Sequence, residues 1–308
     1  MVIDLISFMI QPSALKKGDT LAIVAPAGFL KSDTAINKGV ALTESWGLNV
    51  EITPNVFKKQ GHFAGTDAER LSDLQWALNN PTVKAIWCAR GGYGTNRIID
   101  ALDFTKFLQN PKWLIGYSDI TILLNHINNL GVMSLHAMMA TSLSSFKNKL
   151  AVSSLKNALF DENLSYTIPS NKYNVFGQAE GILVGGNLSL LASLLGTESA
   201  IKQKDFIFFI EEIGEYKYHI DRMLYSLKRN GYFKNCKGLL VGGMTDIPVN
   251  DPLFGKSIEQ LVLDILGDVN IPICFDVPAG HIDKNCALIL GKPIKVIVAD
   301  KKSQLIFN

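Results

Sequence analysis

The chain has 308 residues, 47% of them apolar and 19% charged, and a formal charge of +2, the profile of an ordinary globular protein with room for about two domains and a large core. Near-neutrality without a Lys/Arg block or basic stripe argues against nucleic acid as a partner. Cys88, Cys236, Cys274 and Cys286 show no CxxC spacing and lie in or near apolar runs, as free buried thiols of a reducing compartment do.

The opening segment MVIDLISFMIQPS is apolar but carries Asp4 and lacks a basic n-region and a small-residue cleavage site. That argues against a secretory signal and, with the unpaired thiols, predicts a cytoplasmic protein. TLAIVAP then reads as a strand, residues 32–46 as a helix and LNVEITP as a strand. GTDAERLSDLQWALNN reads as a helix opened by Thr66 and Glu69 in capping-box spacing. VKAIWCA is a strand, TNRIIDALDF a helix, KWLIGY a strand, Asp119 to Leu130 a helix stopped by Gly131, and VMSLHAM closes the series. Such alternation implies parallel pairing through right-handed crossovers, hence a doubly wound α/β domain over residues 1–140.

Periodicity fades into Ser, Asn and Lys over residues 141–178, the expected linker or crossing segment. A second α/β unit with more antiparallel character follows over 179–308. It comprises EGILVGG, a helix over Asn187 to Leu195, DFIFFIEE, a helix over Tyr216 to Asn230, KGLLVGGMTD, a helix near Ser257 to Leu266, and the β-rich PICFDVP, CALIL and IKVIVA. The longest uncharged stretch, 17 residues between Glu180 and Glu198, is broken by central glycines and is too short to cross a bilayer, so no membrane association is expected. No repeat period is visible.

In open parallel sheets ligands bind beyond the carboxyl ends of the strands. Three unusual segments fall there: APAG after the first strand, ARGGYGT after the third, and Ser118 after the fourth. A serine at a strand-to-helix turn exposes its hydroxyl beside unpaired helical amides, as a nucleophile requires; the alternative is an ordinary N-cap. The glycine turn could hold a pyrophosphate, but the acidic residue expected about 20 positions on is not cleanly present, and exposed amides suit an oxyanion better. A serine needs a base. His126 lies too far along its own helix, about 12 Å at 1.5 Å per residue. His219 falls on an amphipathic helix, His136 in an apolar strand as a core residue, and His62 on a loop as a second choice. His281, in FDVPAGHIDKN, has the loop placement a base needs. Glu211 and Glu212 end an apolar strand, and alternation lets only one of them face a site; both could instead simply end the strand in water. Glu215 and Asp221 read as helix-solvating or capping acids. A carboxylate pair of Asp119 with Glu211 or Glu212 would suit a glycosidase but leaves His281 and the glycine turn without roles. No metal motif and no cofactor fingerprint emerges.

IVAPAG, FAGTDAERLSDLQWAL, ARGGYGTNRIID, IGYSDITIL, GGNLSLLASLLGT, FIEEIGEYKYHIDRML and DVPAGH, spread over about Thr20 to Lys295, resemble the L,D-carboxypeptidases. This serine peptidase family includes muramoyl-tetrapeptide carboxypeptidases and microcin-immunity peptidases. The resemblance implies a flavodoxin-like N-terminal domain with a doubly wound parallel sheet and a smaller C-terminal β-rich α/β domain. It implies Ser118 as nucleophile, Glu211 as the acid, with Glu212 where the family often has Asp, and His281 as the base, meeting between the domains. The amides of Gly92 and Asp119 are then the expected oxyanion donors, and Arg90, with Gly91 beside it, the expected contact to a free substrate carboxylate. The implied reaction removes terminal D-alanine from murein tetrapeptides in cell-wall recycling, without a cofactor, in a homodimer. GYSDI lacks the second glycine of the G-x-S-x-G elbow but has the family's own Asp. The short segment after Glu211 favours the murein branch over the microcin branch, which would hydrolyse another acyl or aminoacyl amide. A non-catalytic muropeptide-binding protein is the rival class.

Overall fold

Short β-branched runs alternating with amphipathic segments produce two sheets in the computed structural model, which describes residues 9–144, 149–267 and 269–307. The opening residues 1–8, on which the leader expectation partly rests, lie outside the described residues. In chain order come β1 (Thr20–Val24), α1 (Asn37–Ser45), β2 (Asn49–Ile52), α2 (Asp67–Asn79), β3 (Val83–Cys88), α3 (Thr105–Gln109), β4 (Trp113–Gly116), α4 (Thr121–Asn129) and β5 (Ser134–His136). There follow α5 (Lys149–Leu159), β6 (Ser165–Pro169), β7 (Gly177–Asn187), α6 (Leu188–Ser193), β8 (Phe206–Ile213), α7 (Lys217–Arg229), β9 (Cys236–Thr245) and α8 (Ile258–Leu266). The chain closes with β10 (Ile273–Cys274), β11 (Leu288–Leu290), β12 (Pro293–Val298) and β13 (Lys302–Phe307).

The first sheet has the order β11-β5-β4-β3-β1-β2. Its five N-terminal strands are parallel and run 2-1-3-4-5 in space, the flavodoxin-like order whose switch point lies between β1 and β3. β11 arrives from the far end of the chain and pairs antiparallel with β5, Leu288 opposite His136. The second sheet, β10-β9-β8-β7-β12-β13-β6, is parallel from β10 to β7 and antiparallel from β7 to β6.

Both faces of β8 are apolar, and its alternation sorts them. Phe206, Phe208 and Ile210 pack with Ile220, Leu224 and Val262 of α7 and α8. Ile207 and Phe209 join the main core with Ile115, Leu135 and Leu288 of the first sheet. The second sheet is thus sandwiched between its own helices and the N-terminal half. At Gly185 of β7, φ is +134° and an added Cβ would lie 1.9 Å from the Phe209 carbonyl oxygen. Gly185→Ala should therefore cost at least about 3 kcal/mol through backbone strain and lost β7–β8 pairing. Thermal unfolding checks this, and melting at the wild-type temperature would contradict it.

Several local expectations need correction. The helix expected over 32–46 begins only at Asn37. The helix expected over 95–104 breaks into two 3-10 turns, Thr95–Arg97 and Ile99–Ala101, because Gly94 enters at φ +144° and Asp103 ends the run. Asp103 takes the Thr105 amide at 2.9 Å and so starts α3. Of PICFDVP only Ile273–Cys274 pairs as strand. Residues 141–178 carry α5 and β6, the latter an edge of the second sheet. The expected capping box of α2 is present, with Thr66 Oγ1 accepting from the Glu69 amide and the Glu69 carboxylate accepting from the Thr66 amide.

Candidate active site

β4 ends the buried run Trp113–Gly116, Tyr117 stays extended at φ −155°, and Ser118 turns to φ +62° before a 3-10 turn leads into α4. A left-handed non-glycine residue costs about 1–3 kcal/mol and persists where its surroundings impose it. No side chain caps the 3-10 turn or α4, so the N-cap reading of Ser118 is set aside. The glycine turn after β3 lies against it: a Cβ on Gly91 would stand 2.9 Å from Ser118 Cβ and 3.0 Å from its Oγ. The turn after β1 holds the glycine turn in place, with the Gly28 amide donating to the Gly91 carbonyl at 2.9 Å. Gly92 is left-handed at φ +107°.

Glu211 continues the 207–209 face of β8 toward the N-terminal half. Its side chain is 0% exposed, so it does not end the strand in water. Its Oε2 accepts from His281 Nδ1 at 2.7 Å and from the His281 backbone amide at 3.1 Å. Two donors on one carboxylate oxygen fix both the imidazole and the backbone that carries it, and orient Nε2 as the remaining basic nitrogen. Gly280 makes this approach possible. At φ +103°, any Cβ there would lie 2.7 Å from Glu211 Cβ and 2.8 Å from Oε2. Asn285 Oδ1 accepts the Gly280 amide at 2.9 Å, and Thr245 Oγ1 donates to the His281 carbonyl at 3.1 Å. The Tyr117 ring packs on His281 at 4.8 Å between centroids, so the residue next to Ser118 touches the imidazole. A cleft of about 290 Å³ opens here, lined by Tyr117, Met138 and Ser142 of the N-terminal half and by Ile213, His281 and Asp283 of the C-terminal half.

Glu212 points the opposite way. It accepts from Asn187 Nδ2 at 2.9 Å, the Ser189 amide at 2.7 Å and Ser189 Oγ at 2.6 Å. Burial pushes its carboxyl above the usual range while these donors hold it down. Glu212 therefore fastens β8 to the start of α6. The Asp119 carboxylate accepts the Thr95 amide at 2.8 Å; its own pKa is raised by burial against that bond and the nearby Arg70 charge. Arg90 is engaged, its guanidinium donating to the Phe29 carbonyl at 2.5 Å and lying 5.7 Å from the Phe29 ring. His126 bonds Ser199 Oγ and stacks on Phe104, and His219 pairs with Glu215. Both belong to other neighbourhoods. His136 is core, as expected, but its ring lies 5.9 Å from Tyr117 and 4.9 Å from Phe209.

Arg70 carries no local signal of its role in the sequence. Its side chain is 0% exposed and donates to the carbonyls of Pro26 at 2.6 Å and Gly94 at 2.8 Å, and to the Asp67 carboxylate. One buried cation thus ties the turns after β1 and β3 together. Its place at α2 position four, inside an Asp/Glu-rich turn, gave no sign that the side chain points inward. Among the described residues no group of three His, Cys, Asp or Glu could hold a metal ion, and no helix is long and apolar enough to cross a membrane.

Comparison with known proteins places two family models on the chain, the LD-carboxypeptidase N-terminal domain over residues 21–137 and the LD-carboxypeptidase C-terminal domain over 180–296. A Bacillus subtilis protein named "Probable murein peptide carboxypeptidase" is 36% identical over 300 residues, covering 94% of this chain and 92% of that one. The "Murein tetrapeptide carboxypeptidase" of Pseudomonas aeruginosa is 28% identical over 283 residues, covering 88% of this chain and 91% of that one. The crystal structure of a muramoyltetrapeptide carboxypeptidase from Oxalobacter formigenes superposes with a TM-score of 0.86 at 28% identity, over 94% of this chain and 98% of that one. The protein MccF, solved with glutamyl sulfamoyl guanosine, gives 0.86 at 20% identity over 97% and 98%, a likeness of fold.

Proposed function

This chain belongs to the LD-carboxypeptidase family and is a serine-type carboxypeptidase; from that premise we propose that it releases terminal D-alanine from murein tetrapeptides, in cell-wall recycling, through Ser118, His281 and Glu211. The observation that carries the reading is the buried Glu211 Oε2 holding His281 Nδ1 at 2.7 Å, with the imidazole 4.8 Å from the tilted ring of Tyr117, the neighbour of Ser118. In this reading Ser118 Oγ attacks the carbonyl carbon of the amide that joins the L-centre of the third residue to D-alanine. His281 Nε2 takes the hydroxyl proton and returns it to the leaving amine as the C–N bond breaks. Glu211 holds the Nδ1–H tautomer and balances the imidazolium. The amides of Gly92 and Asp119 receive the oxyanion, a contribution of about 3 kcal/mol per donor. Water, deprotonated by the same imidazole, then hydrolyses the ester. Arg90 is proposed as the contact to the terminal carboxylate, and the enzyme as a cytoplasmic homodimer.

Incubation with the murein tetrapeptide should release D-alanine and leave the tripeptide. Intact tetrapeptide beside turnover of another acyl or aminoacyl amide would transfer the protein to the microcin-type reading. Gly91→Ala tests the fit between the glycine turn and the nucleophile. A Cβ there would crowd Ser118 at 2.9 Å, and a displacement of about 1 Å typically costs about 100-fold in rate. We expect that loss in kcat with at most a modest fall in melting temperature; full activity would show that Gly91 does not position Ser118.

A further inference from the structure

The main core contains a polar anomaly directly behind the His281–Glu211 pair. His136, on β5, is 0% exposed, and neither its Nδ1 nor its Nε2 has a hydrogen-bond partner among the described residues. The Oε1 oxygen of Glu211, also buried, lacks one too. Buried polar groups left alone in this way are rare, and each calls for a reason.

The fold brings these atoms to one place. His136 sits opposite Gly116, two residues before Ser118, on one side and opposite Leu288 of β11 on the other. Its ring meets Phe209 edge-on at 4.9 Å and Tyr117 at 5.9 Å. Phe209 and Glu211 lie two apart on the same face of β8, and Tyr117 covers His281. The imidazole at 136 is therefore enclosed by the neighbours of all three residues of the proposed triad. Glu211 offers two oxygens, and His281 uses only Oε2.

Resting on the triad reading above, we propose that His136 is a positioning residue, its ring N–H serving the free Oε1 of Glu211 through one bridging water, so that both carboxylate oxygens are held and Oε2 stays aligned on His281. The titratable groups acting on the ring are Glu211 from β8 and His281 from the loop after β10, and the Tyr117 ring after β4 packs edge-on with it. Burial pushes the His136 ring down to about 4, against the pull of Glu211. The ring is therefore neutral at neutral pH. It donates a hydrogen bond without adding a positive charge that would weaken the proton affinity of the base. A purely apolar residue would pack as well against Phe209, Leu135 and Leu288 but would leave Oε1 unserved.

The test compares His136→Phe and His136→Gln with wild type in D-alanine release from the murein tetrapeptide, together with the pH profile of kcat/KM and thermal melting. The phenylalanine variant should lose about ten- to a hundredfold in kcat, by analogy with the loss when the outer hydrogen-bond partner of a metal-bound side chain is removed, with little change in KM. Its acidic limb should move to higher pH, because a carboxylate with one donor fewer makes the pair hold its proton longer. His136→Gln, which keeps an N–H, should recover most of the rate and the wild-type limb. If the phenylalanine variant does not fold, His136→Met carries the same expectations. A wild-type rate in the apolar variant would overturn the proposal. So would equal losses in the apolar and Gln variants with an unmoved acidic limb, the mark of packing alone. Ser118→Ala run in parallel separates the two claims. Activity retained there sinks the triad, whereas an inactive Ser118→Ala beside a fully active His136→Phe sinks only the role of His136.

Discussion

Ser118→Ala is expected to lower kcat for D-alanine release by about 10⁴- to 10⁶-fold, the scale seen when other serine triads lose their nucleophile. The change removes one oxygen from a backbone already held at φ +62°. Alanine tolerates that conformation no better than serine, so stability should stay close to wild type. Among the described residues the hydroxyl makes no capping bond, so the change removes no cap. Substrate affinity should also persist, because the cleft and the glycine turn are untouched. Tripeptide formation followed over long incubations, with melting as control, measures both points. Activity within tenfold of wild type would remove Ser118 as nucleophile.

Glu211→Gln should cost about 10⁴ in kcat, about 5 kcal/mol of transition-state stabilisation, by analogy with the amide replacement of a triad acid elsewhere. The glutamine has the same shape and fills the same buried site. It cannot offer an anionic oxygen to both the His281 amide at 3.1 Å and Nδ1 at 2.7 Å. An oxygen in that place loses the charge that balances the imidazolium, and an NH₂ in that place forces the wrong tautomer. KM should change little. Glu212→Gln is the matched control, since its carboxylate serves Asn187 and Ser189 on the far face of β8. That variant should lose stability and keep most of its turnover. The reverse pattern would exchange the roles of the two acids.

Much of this arrangement is legible in the sequence. The βα alternation to residue 140 and the placement of APAG, ARGGYGT and Ser118 beyond strand ends follow from periodicity and turn residues, and the observed 2-1-3-4-5 order agrees. His281 could be preferred from its loop. The choice between Glu211 and Glu212 could not be made from the residues, because β8 is apolar on both faces and its alternation carries no contrast. Only the packing of 207 and 209 on one core and of 206, 208 and 210 on another tells the faces apart. α5 does bury a helically spaced face of Ala151, Ser154, Leu155, Ala158 and Leu159, but the Ser, Asn and Lys interleaved with it blur the pattern. β11 joins the first sheet through pairing with β5, and Arg70 turns inward to carbonyls 44 and 24 residues away. Both are long-range choices with no local signal.

The most direct test of the account is a double-mutant cycle on kcat for D-alanine release, with Ser118→Ala, His281→Ala and the two combined. If nucleophile and base act as one unit, the double variant is no slower than the worse single variant. Losses that multiply, with the double variant slower by the product of the two single effects, would show independent roles and contradict a shared triad.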